Sequence, residues 1–162
     1  MPQRRVVTIG VYDWDLESFL AALRGADVRV LFDVRQRRGV RGPQYAWANS
    51  QRLQHALAEE GVTYRHHLEL APTTELRHLQ YAEDARQGVG KRSRILLAPE
   101  YSRRYTEEIL APVGVDGLFE ELPARGAGAL FCVERDPEAC HRSIVAAWLE
   151  ERHGVRVRHL RP

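Results

Sequence analysis

The sequence predicts an α/β fold, a three-layer sandwich in which a mainly parallel central sheet is flanked by helices. Three observations predict this class. The first 34 residues pass from strand to helix to strand, the order typical of α/β folds. The predicted strands are apolar on both faces, as strands are when helices cover both sides of their sheet. The length of 162 residues fits one domain, 1–162, that can bury a core without disulfides.

The N-terminal segment RVVTIGVYDW predicts a buried strand that ends near Tyr12, because it is rich in β-branched residues and too short for a helix. Asp13 then caps a helix over Trp14–Arg24, and Gly25 takes the left-handed position that commonly follows a helix. The segment DVRVLFDV predicts the next strand. This unit starts the alternation on which the fold prediction depends.

Three helices are predicted in the middle of the chain, each after a residue type that commonly begins a helix. A Gly-punctuated aromatic loop over 39–48 precedes the first helix, and the short strand in VTYRHHLEL precedes the second. A basic loop with two glycines, QGVGKRSR, separates the second from the third and is predicted to be mobile. The residues that begin the helices are Asn49 or Ser50, Thr73 or Thr74, and Pro99.

The C-terminal part predicts a short helix in GVDGLFEEL, a central strand in ALFCVE, a terminal helix, and an alternating edge strand in VRVRHL. Asp136 is a suitable N-cap for the terminal helix, and Pro137 suits its first position. Cys140, His141 and Arg142 then fall in the first two turns, near the positive end of the helix dipole. That environment favours an anion.

Composition excludes several classes of protein. No apolar run approaches the roughly 20 residues of a membrane span. The N-terminus has no apolar signal core, so we expect no membrane association and a cytoplasmic location. Cys132 and Cys140 are then expected to be free thiols. The formal net charge of +2 conceals clusters of positive charge in RQRRGVR and GKRSR.

Polar residues follow three predicted strands: Tyr12 the first, Asp33 and Arg35 the second, and Glu134 the third. The carboxyl ends of parallel strands share one edge of a sheet, where ligands bind in open α/β folds. We therefore expect these residues to line one crevice, with Asp33 or Glu134 as a general acid or base. The alternative is that the strands merely end at the protein surface.

Cys140 and His141 are further catalytic candidates. A thiolate near a helix N-terminus is stabilised, which is compatible with persulfide or redox chemistry. The alternative is that Cys132 and Cys140 are small buried hydrophobic residues. Cys132, Cys140, His141, His66 and His67 offer enough ligand atoms for zinc, which stays an alternative. They show no C-x-x-C or H-x-x-x-H spacing, so no metal site is predicted.

The segment RQRRGVRGPQYAW mixes arginines with aromatic residues, a combination that neutralises phosphates and stacks on bases. Its alternative interpretation is a solvated basic loop. Tyr12, after the first strand, and Arg142, near the start of the terminal helix, are added to this segment as candidate binding residues. The full set is Tyr12, Arg35, Arg38, Arg41, Tyr45, Trp47 and Arg142.

The motifs TIG, DVR and LFCVERDPEACHRSIVAAWL resemble the bacterial and archaeal family called domain of unknown function 488, over nearly the whole chain from Val6 to Leu160. Many members continue DVR with Pro and then Ser-Arg, whereas this chain has QRRGVRG, which indicates a subfamily with its own ligand. The resemblance implies an α/β three-layer fold and no particular reaction. It also implies a shared pocket formed by Asp33, Arg35, Arg41, Glu134, Cys140, His141 and Arg142.

Together these features favour an enzyme that acts on a phosphate-bearing substrate, a nucleotide or nucleic acid, at the carboxyl edge of the sheet. Two alternatives stay open: a non-catalytic nucleic-acid-binding module, and a cysteine-based sulfur-transfer or redox protein. The expected partner is an anionic small molecule or nucleic acid, a homodimer is compatible with the sequence, and no cofactor is identified. The catalytic candidates are Asp33, Glu134, Cys140 and His141.

Overall fold

The computed structural model describes residues 3–162 and contains a five-stranded sheet in which every neighbouring pair is parallel. The strand order is third, second, fourth, first, fifth. The predicted α/β class with a mainly parallel sheet is therefore confirmed. The strands are β1 (Arg5–Ile9), β2 (Val28–Asp33), β3 (Thr63–His66), β4 (Ala127–Phe131) and β5 (Arg156–His159).

Helices cover both faces of this sheet. Within the described part of the chain, none of them is long and apolar enough to cross a membrane. A π-helical turn (Thr106–Leu110) joins two of the helices, and 3₁₀ turns occupy Pro43–Ala48, Leu68–Leu70 and Pro137–Ala139. The helices are α1 (Leu16–Gly25), α2 (Ser50–Glu59), α3 (Thr74–Gln87), α4 (Pro99–Tyr105), α5 (Ala111–Val113), α6 (Asp116–Glu121) and α7 (Arg142–His153).

The strand order determines where a ligand can bind. The chain moves outward from β1 through β2 to β3, and it moves in the opposite direction from β4 to β5. Right-handed crossovers therefore place α1 and α2 on one face and α3 to α7 on the other, which gives three layers. Since β1 and β4 are neighbours whose following helices lie on opposite faces, a crevice forms at their carboxyl ends.

The predicted central and edge strands are confirmed. All five residues of β4 are buried, because β1 and β2 flank it and helices cover it. Gly128 in β4 leaves space that neighbouring side chains fill: a Cβ there would lie 2.5 Å from Leu122 and 3.0 Å from Phe32. β5 lies at the edge, and its alternating residues are mostly exposed.

The start and end of α1 differ from the sequence prediction. The helix is capped by Asp15, whose Oδ1 accepts from the Ser18 N–H at 2.7 Å while the Ser18 hydroxyl accepts from the Asp15 N–H at 3.1 Å. This reciprocal capping box makes Asp15 a better cap than Asp13, which lies in a left-handed turn with φ 69°. Gly25 is the last helical residue, and the left-handed residue is Asp27, with φ 55°.

The terminal helix also begins later than predicted. The Cys140 N–H donates to the Pro137 carbonyl at 3.1 Å and closes a short 3₁₀ turn, after which Cys140 is extended at φ −141° and ψ 145°. The helix starts at Arg142, and Asp136 makes no side-chain cap. Cys140 and His141 therefore precede the helix and do not lie in its first turns.

At Gly10 the backbone segments that follow β1 and β4 pack tightly against each other. The N–H groups of Val11 and Tyr12 both donate to the Val133 carbonyl, at 2.9 and 3.2 Å. This brings the backbone of Glu134 so close that a Cβ on Gly10 would lie 2.0 Å from the Glu134 carbonyl oxygen. Only glycine fits there without displacement of Glu134.

We expect Gly10→Ala to lower the free energy of unfolding by about 1–3 kcal/mol, because the added methyl group must push two backbone segments apart. Urea unfolding followed by circular dichroism measures this change. Gly25→Ala is the matched control. Apart from its chain neighbours and its own helix, no described atom lies within 4 Å of its Cβ position, and alanine favours a helix. A Gly10→Ala protein as stable as wild type would show that the two exits are not packed as described.

Candidate functional site

A cavity of about 670 Å³ opens at the carboxyl edge of the sheet. Tyr12 follows β1 and Glu134 follows β4, as predicted, and both line the cavity. α3 forms another wall with Arg77, Gln80 and Tyr81. Two basic loops, 35–41 and 90–94, complete the lining. The strand exits and loops therefore meet around one space.

The charge of this cavity is strongly unbalanced. Among the described residues, seven lysines and arginines line it, and Glu134 is the only acidic residue in the lining. Two of the seven, Arg35 and Arg94, form salt bridges with carboxylates. The other five make no salt bridge to any residue of the range 3–162, so their charge is available to a ligand. They are Arg37, Arg41, Arg77, Lys91 and Arg92.

Glu134 is buried, with 7% of its surface exposed. Its Oε1 accepts from Arg94 Nη1 at 3.2 Å, and its Oε2 has no hydrogen-bond partner among the described residues. Burial is the main cause that raises the pKa of Glu134; Cys140 adds to the increase, and Lys91 and Arg94 oppose it. A buried oxygen without a partner can accept a proton or a hydrogen bond from a ligand.

A buried network holds Glu134 in place. Arg94 binds Asp84 through Nε at 3.0 Å and Nη2 at 2.7 Å, while its Nη1 reaches Glu134. Gln80 donates to Asp84 at 2.9 Å and accepts from the Ala98 N–H at 2.8 Å. The network fixes the basic loop 90–94 against α3 and beside the β4 exit. Asp84 and Gln80 could not be predicted as part of the site, because a polar residue inside a helix carries no local signal of burial.

Arg92 joins the two basic loops. Its guanidinium carbon lies 5.3 Å from the ring centre of Tyr12 and 5.2 Å from that of Tyr45, within the range of cation–π contacts. Its Nη2 donates to the Arg41 carbonyl at 2.9 Å. The adjacent Lys91 is half-buried; although burial opposes its charge, Glu134 and Cys132 raise its pKa. Both cations belong to the basic cluster GKRSR, but neither was among the predicted site residues.

Asp33 and Arg35 bind each other in the core beneath this edge. Arg35 donates to Asp33 through its backbone N–H, Nε and Nη2, at 3.1, 2.9 and 2.8 Å, and the Tyr64 hydroxyl donates to the same carboxylate at 2.5 Å. Arg35 Nη1 donates to the Ala48 carbonyl at 2.8 Å, and its guanidinium lies 4.7 Å from the Phe131 ring centre. Both oxygens of Asp33 are thus occupied, and the carboxylate does not line the cavity.

Arg142 is fully buried and does not line the cavity. Its Nη1 donates to the carbonyl of Glu134 at 2.7 Å, and its Nη2 donates to that of Arg135 at 3.2 Å. The guanidinium therefore ties the start of α7 to the exit of β4. These contacts position the backbone of Glu134.

Cys132, Cys140 and His141 form a buried cluster behind Glu134. His141 Nδ1 lies 3.8 Å from Cys140 Sγ and 4.0 Å from Cys132 Sγ, and the ligand atoms of all three lie within 4.8 Å of one another. Cys132 and His141 line the cavity.

The pKa values within this cluster differ in direction. Burial opposes a thiolate, but a hydrogen bond from Cys132 and the charges of Arg142 and His141 hold the pKa of Cys140 well below its usual value. The hydrogen bond to Cys140 and burial raise the pKa of Cys132. Burial lowers the pKa of His141, but Cys140 outweighs it and the net change is upward. The cluster can therefore hold a thiolate beside an imidazolium.

The remaining predicted residues lie outside the cavity. Arg38 reaches the Tyr64 hydroxyl at 3.4 Å, and Tyr45 is buried, with its hydroxyl accepting from the Asp13 N–H at 3.1 Å. Trp47 packs against Phe19, with ring centres 4.7 Å apart, and belongs to the core. Of the eleven predicted site residues, those that line the cavity are Tyr12, Arg35, Arg41, Glu134 and His141.

A scan against protein-family models matches residues 15–149 to the family described as Domain of unknown function DUF488. The match covers most of the chain, so the protein belongs to this family, as the motifs indicated. The family description states no activity. Searches of curated proteins and of solved structures returned no match.

The buried ion pair gives a stability prediction. Asp33→Asn removes the charge that balances Arg35 while the guanidinium stays buried, so we expect a loss of about 3–5 kcal/mol in the free energy of unfolding. Urea unfolding measures it. The control is Glu60→Gln, which breaks the exposed Arg24–Glu60 pair and should barely change stability. Equal, small effects for both variants would contradict the structural role of Asp33.

Proposed function

We propose that this DUF488 protein is an enzyme that binds a phosphate-bearing substrate of nucleotide size in the cavity and acts on it with Glu134 as general acid or base. One observation carries the proposal: within residues 3–162, five cations without carboxylate partners line the same cavity as one buried carboxylate that has an unpaired oxygen. Such a site attracts an anion and offers one group for proton transfer.

The cations suit phosphate. Arg37, Arg41 and Arg92 are exposed at the loops, where their guanidinium groups can bind phosphate oxygens in pairs. Lys91 is less exposed and supplies a compact charge closer to Glu134. Because Lys91 is partly buried, its charge is less screened by salt than the charges of the three exposed arginines.

The aromatic residues suit a base. Tyr12 and Tyr81 line the cavity, and Tyr81 is partly exposed, so a planar ring placed between the loops can stack on Tyr81. The volume of about 670 Å³ is within the range typical of small-molecule sites. A nucleotide, free or at the end of a nucleic acid, satisfies both the charge and the volume.

Glu134 is the best placed catalytic candidate, because its Oε2 is unpaired and the residue lines the cavity. Asp33 is less suited to proton transfer, since four hydrogen bonds occupy its oxygens. We propose that Asp33 and Arg142 are positioning residues. Asp33 holds Arg35 at the carboxyl end of β2, and Arg142 holds the backbone of Glu134.

Isothermal titration calorimetry with AMP, ADP and adenosine tests the binding step. We expect both nucleotides to bind saturably and adenosine to bind at least about tenfold more weakly, because a charged hydrogen bond contributes roughly 1.5–3 kcal/mol. Lys91→Ala and Arg41→Ala should each weaken AMP binding by about tenfold as well. The control is Arg52→Ala, which removes an exposed arginine of α2 outside the cavity.

Two results would contradict this proposal. Equal binding of adenosine and AMP would show that phosphate is not recognised. Binding of single-stranded oligonucleotides alone, with affinity that falls log-linearly with salt for every sequence, would instead favour the nucleic-acid-binding module.

The catalytic role of Glu134 has a separate test. Glu134→Gln keeps the size of the side chain and removes its proton-accepting oxygen. We expect it to bind AMP within a few fold of wild type and to abolish turnover of whichever nucleotide wild type converts, followed as phosphate or base release. Unchanged turnover would remove Glu134 from the mechanism.

A further inference from the structure

The cluster of Cys132, Cys140 and His141 has the composition and spacing of a metal site. Tetrahedral zinc, with bonds of about 2.3 Å to sulfur and about 2.0 Å to nitrogen, places its ligand atoms roughly 3.5–3.8 Å apart. The two nitrogen-to-sulfur distances here are 3.8 and 4.0 Å. Small side-chain movements would therefore complete the geometry. We propose that these three residues bind a zinc ion.

The hydrogen bond on the far side of His141 supports this assignment. His141 Nε2 lies 2.9 Å from the Val34 carbonyl oxygen, which can only accept, so Nε2 carries a proton. Nδ1 is then the nitrogen that points to both sulfur atoms. A ligating histidine commonly donates its other ring N–H to a carbonyl, which fixes the ring and its tautomer.

Charge and burial support it as well. The exposed fractions of Cys132, Cys140 and His141 are 6, 1 and 4%. Two thiolates balance the charge of one Zn²⁺, so the loaded cluster is neutral and costs little to bury. Soft thiolate ligands with one imidazole favour zinc over magnesium or calcium.

The site would keep one open position. Cys132, His141 and Glu134 line the cavity, whereas Cys140 does not. Three protein ligands and an open fourth position are typical of catalytic zinc, which supplies a Lewis acid and a bound water of lowered pKa. Zinc binding is inferred from Cys132, Cys140 and His141 alone. A catalytic role for that zinc depends in addition on the proposed function.

The test begins with the wild-type protein, purified without chelators and analysed for metal by mass spectrometry. We expect about one zinc per chain. X-ray absorption at the zinc edge should show two sulfur scatterers, which identifies the ligands without any variant. Replacement of zinc by Co²⁺ should produce thiolate-to-cobalt charge-transfer bands and the visible absorption of tetrahedral cobalt.

Variants locate the site. Cys140→Ser and His141→Gln should each lose the zinc or bind it at least tenfold more weakly, as judged by competition with a chromogenic chelator. His55→Gln is the matched control, since His55 is exposed on α2 and far from the cluster in sequence. Circular dichroism checks that each variant is folded.

Three results would overturn the metal site: zinc without sulfur in its coordination shell, no zinc or cobalt bound by protein with two titratable thiols, or a Cys132–Cys140 disulfide in protein purified without oxidant. AMP titration of metal-free protein separates the two proposals. Nucleotide binding without metal uptake rejects the zinc site alone, and metal uptake without nucleotide binding rejects the proposed function alone.

Discussion

Three buried arginines organise the carboxyl edge of the sheet, and the shape of the cavity depends on them. Arg35, Arg94 and Arg142 have exposed fractions of 1, 7 and 0%. A buried guanidinium is costly unless carboxylates or carbonyls bind it, so each arginine ties the segment that carries it to the segments that supply its partners. Arg35 holds the turn after the second strand, Arg94 the basic loop over α3, and Arg142 the exit of the fourth strand. The loops around the cavity are thus anchored from inside.

The cations around the cavity therefore fall into two groups with different roles. Arginines whose charge is balanced within the fold give the site its shape, whereas cations on the loops above remain without carboxylate partners and give it its potential. Glu134 belongs to both sets, because one of its oxygens binds Arg94 and the other is free. The same residue can therefore be held rigidly and still meet a ligand, as pre-organised sites require.

The sequence predicted the fold well because periodicity reports burial directly. The parallel strands, the central position of β4 and the edge position of β5 all followed from apolar patterns. It predicted the location of the site from the strand ends, but it could not separate Arg35 and Arg142 from ligand-binding arginines. Side-chain direction decides the difference: Arg35 turns back to Asp33, two residues away, and Arg142 turns to the carbonyls of Glu134 and Arg135. Likewise, Cys132 and Cys140 share no metal-binding spacing in the sequence, and only the β4–α7 connection brings them together.

The central claim is that the cavity beside Glu134 is the binding site for an anion. Diffraction from crystals soaked in tungstate, a heavy analogue of phosphate, tests it most directly, since its anomalous signal locates the anion without assuming a reaction. We expect the strongest peak inside the cavity, within reach of Arg41, Lys91 and Arg92. Tungstate bound only at exposed arginines elsewhere, with the cavity unlabelled, would contradict it.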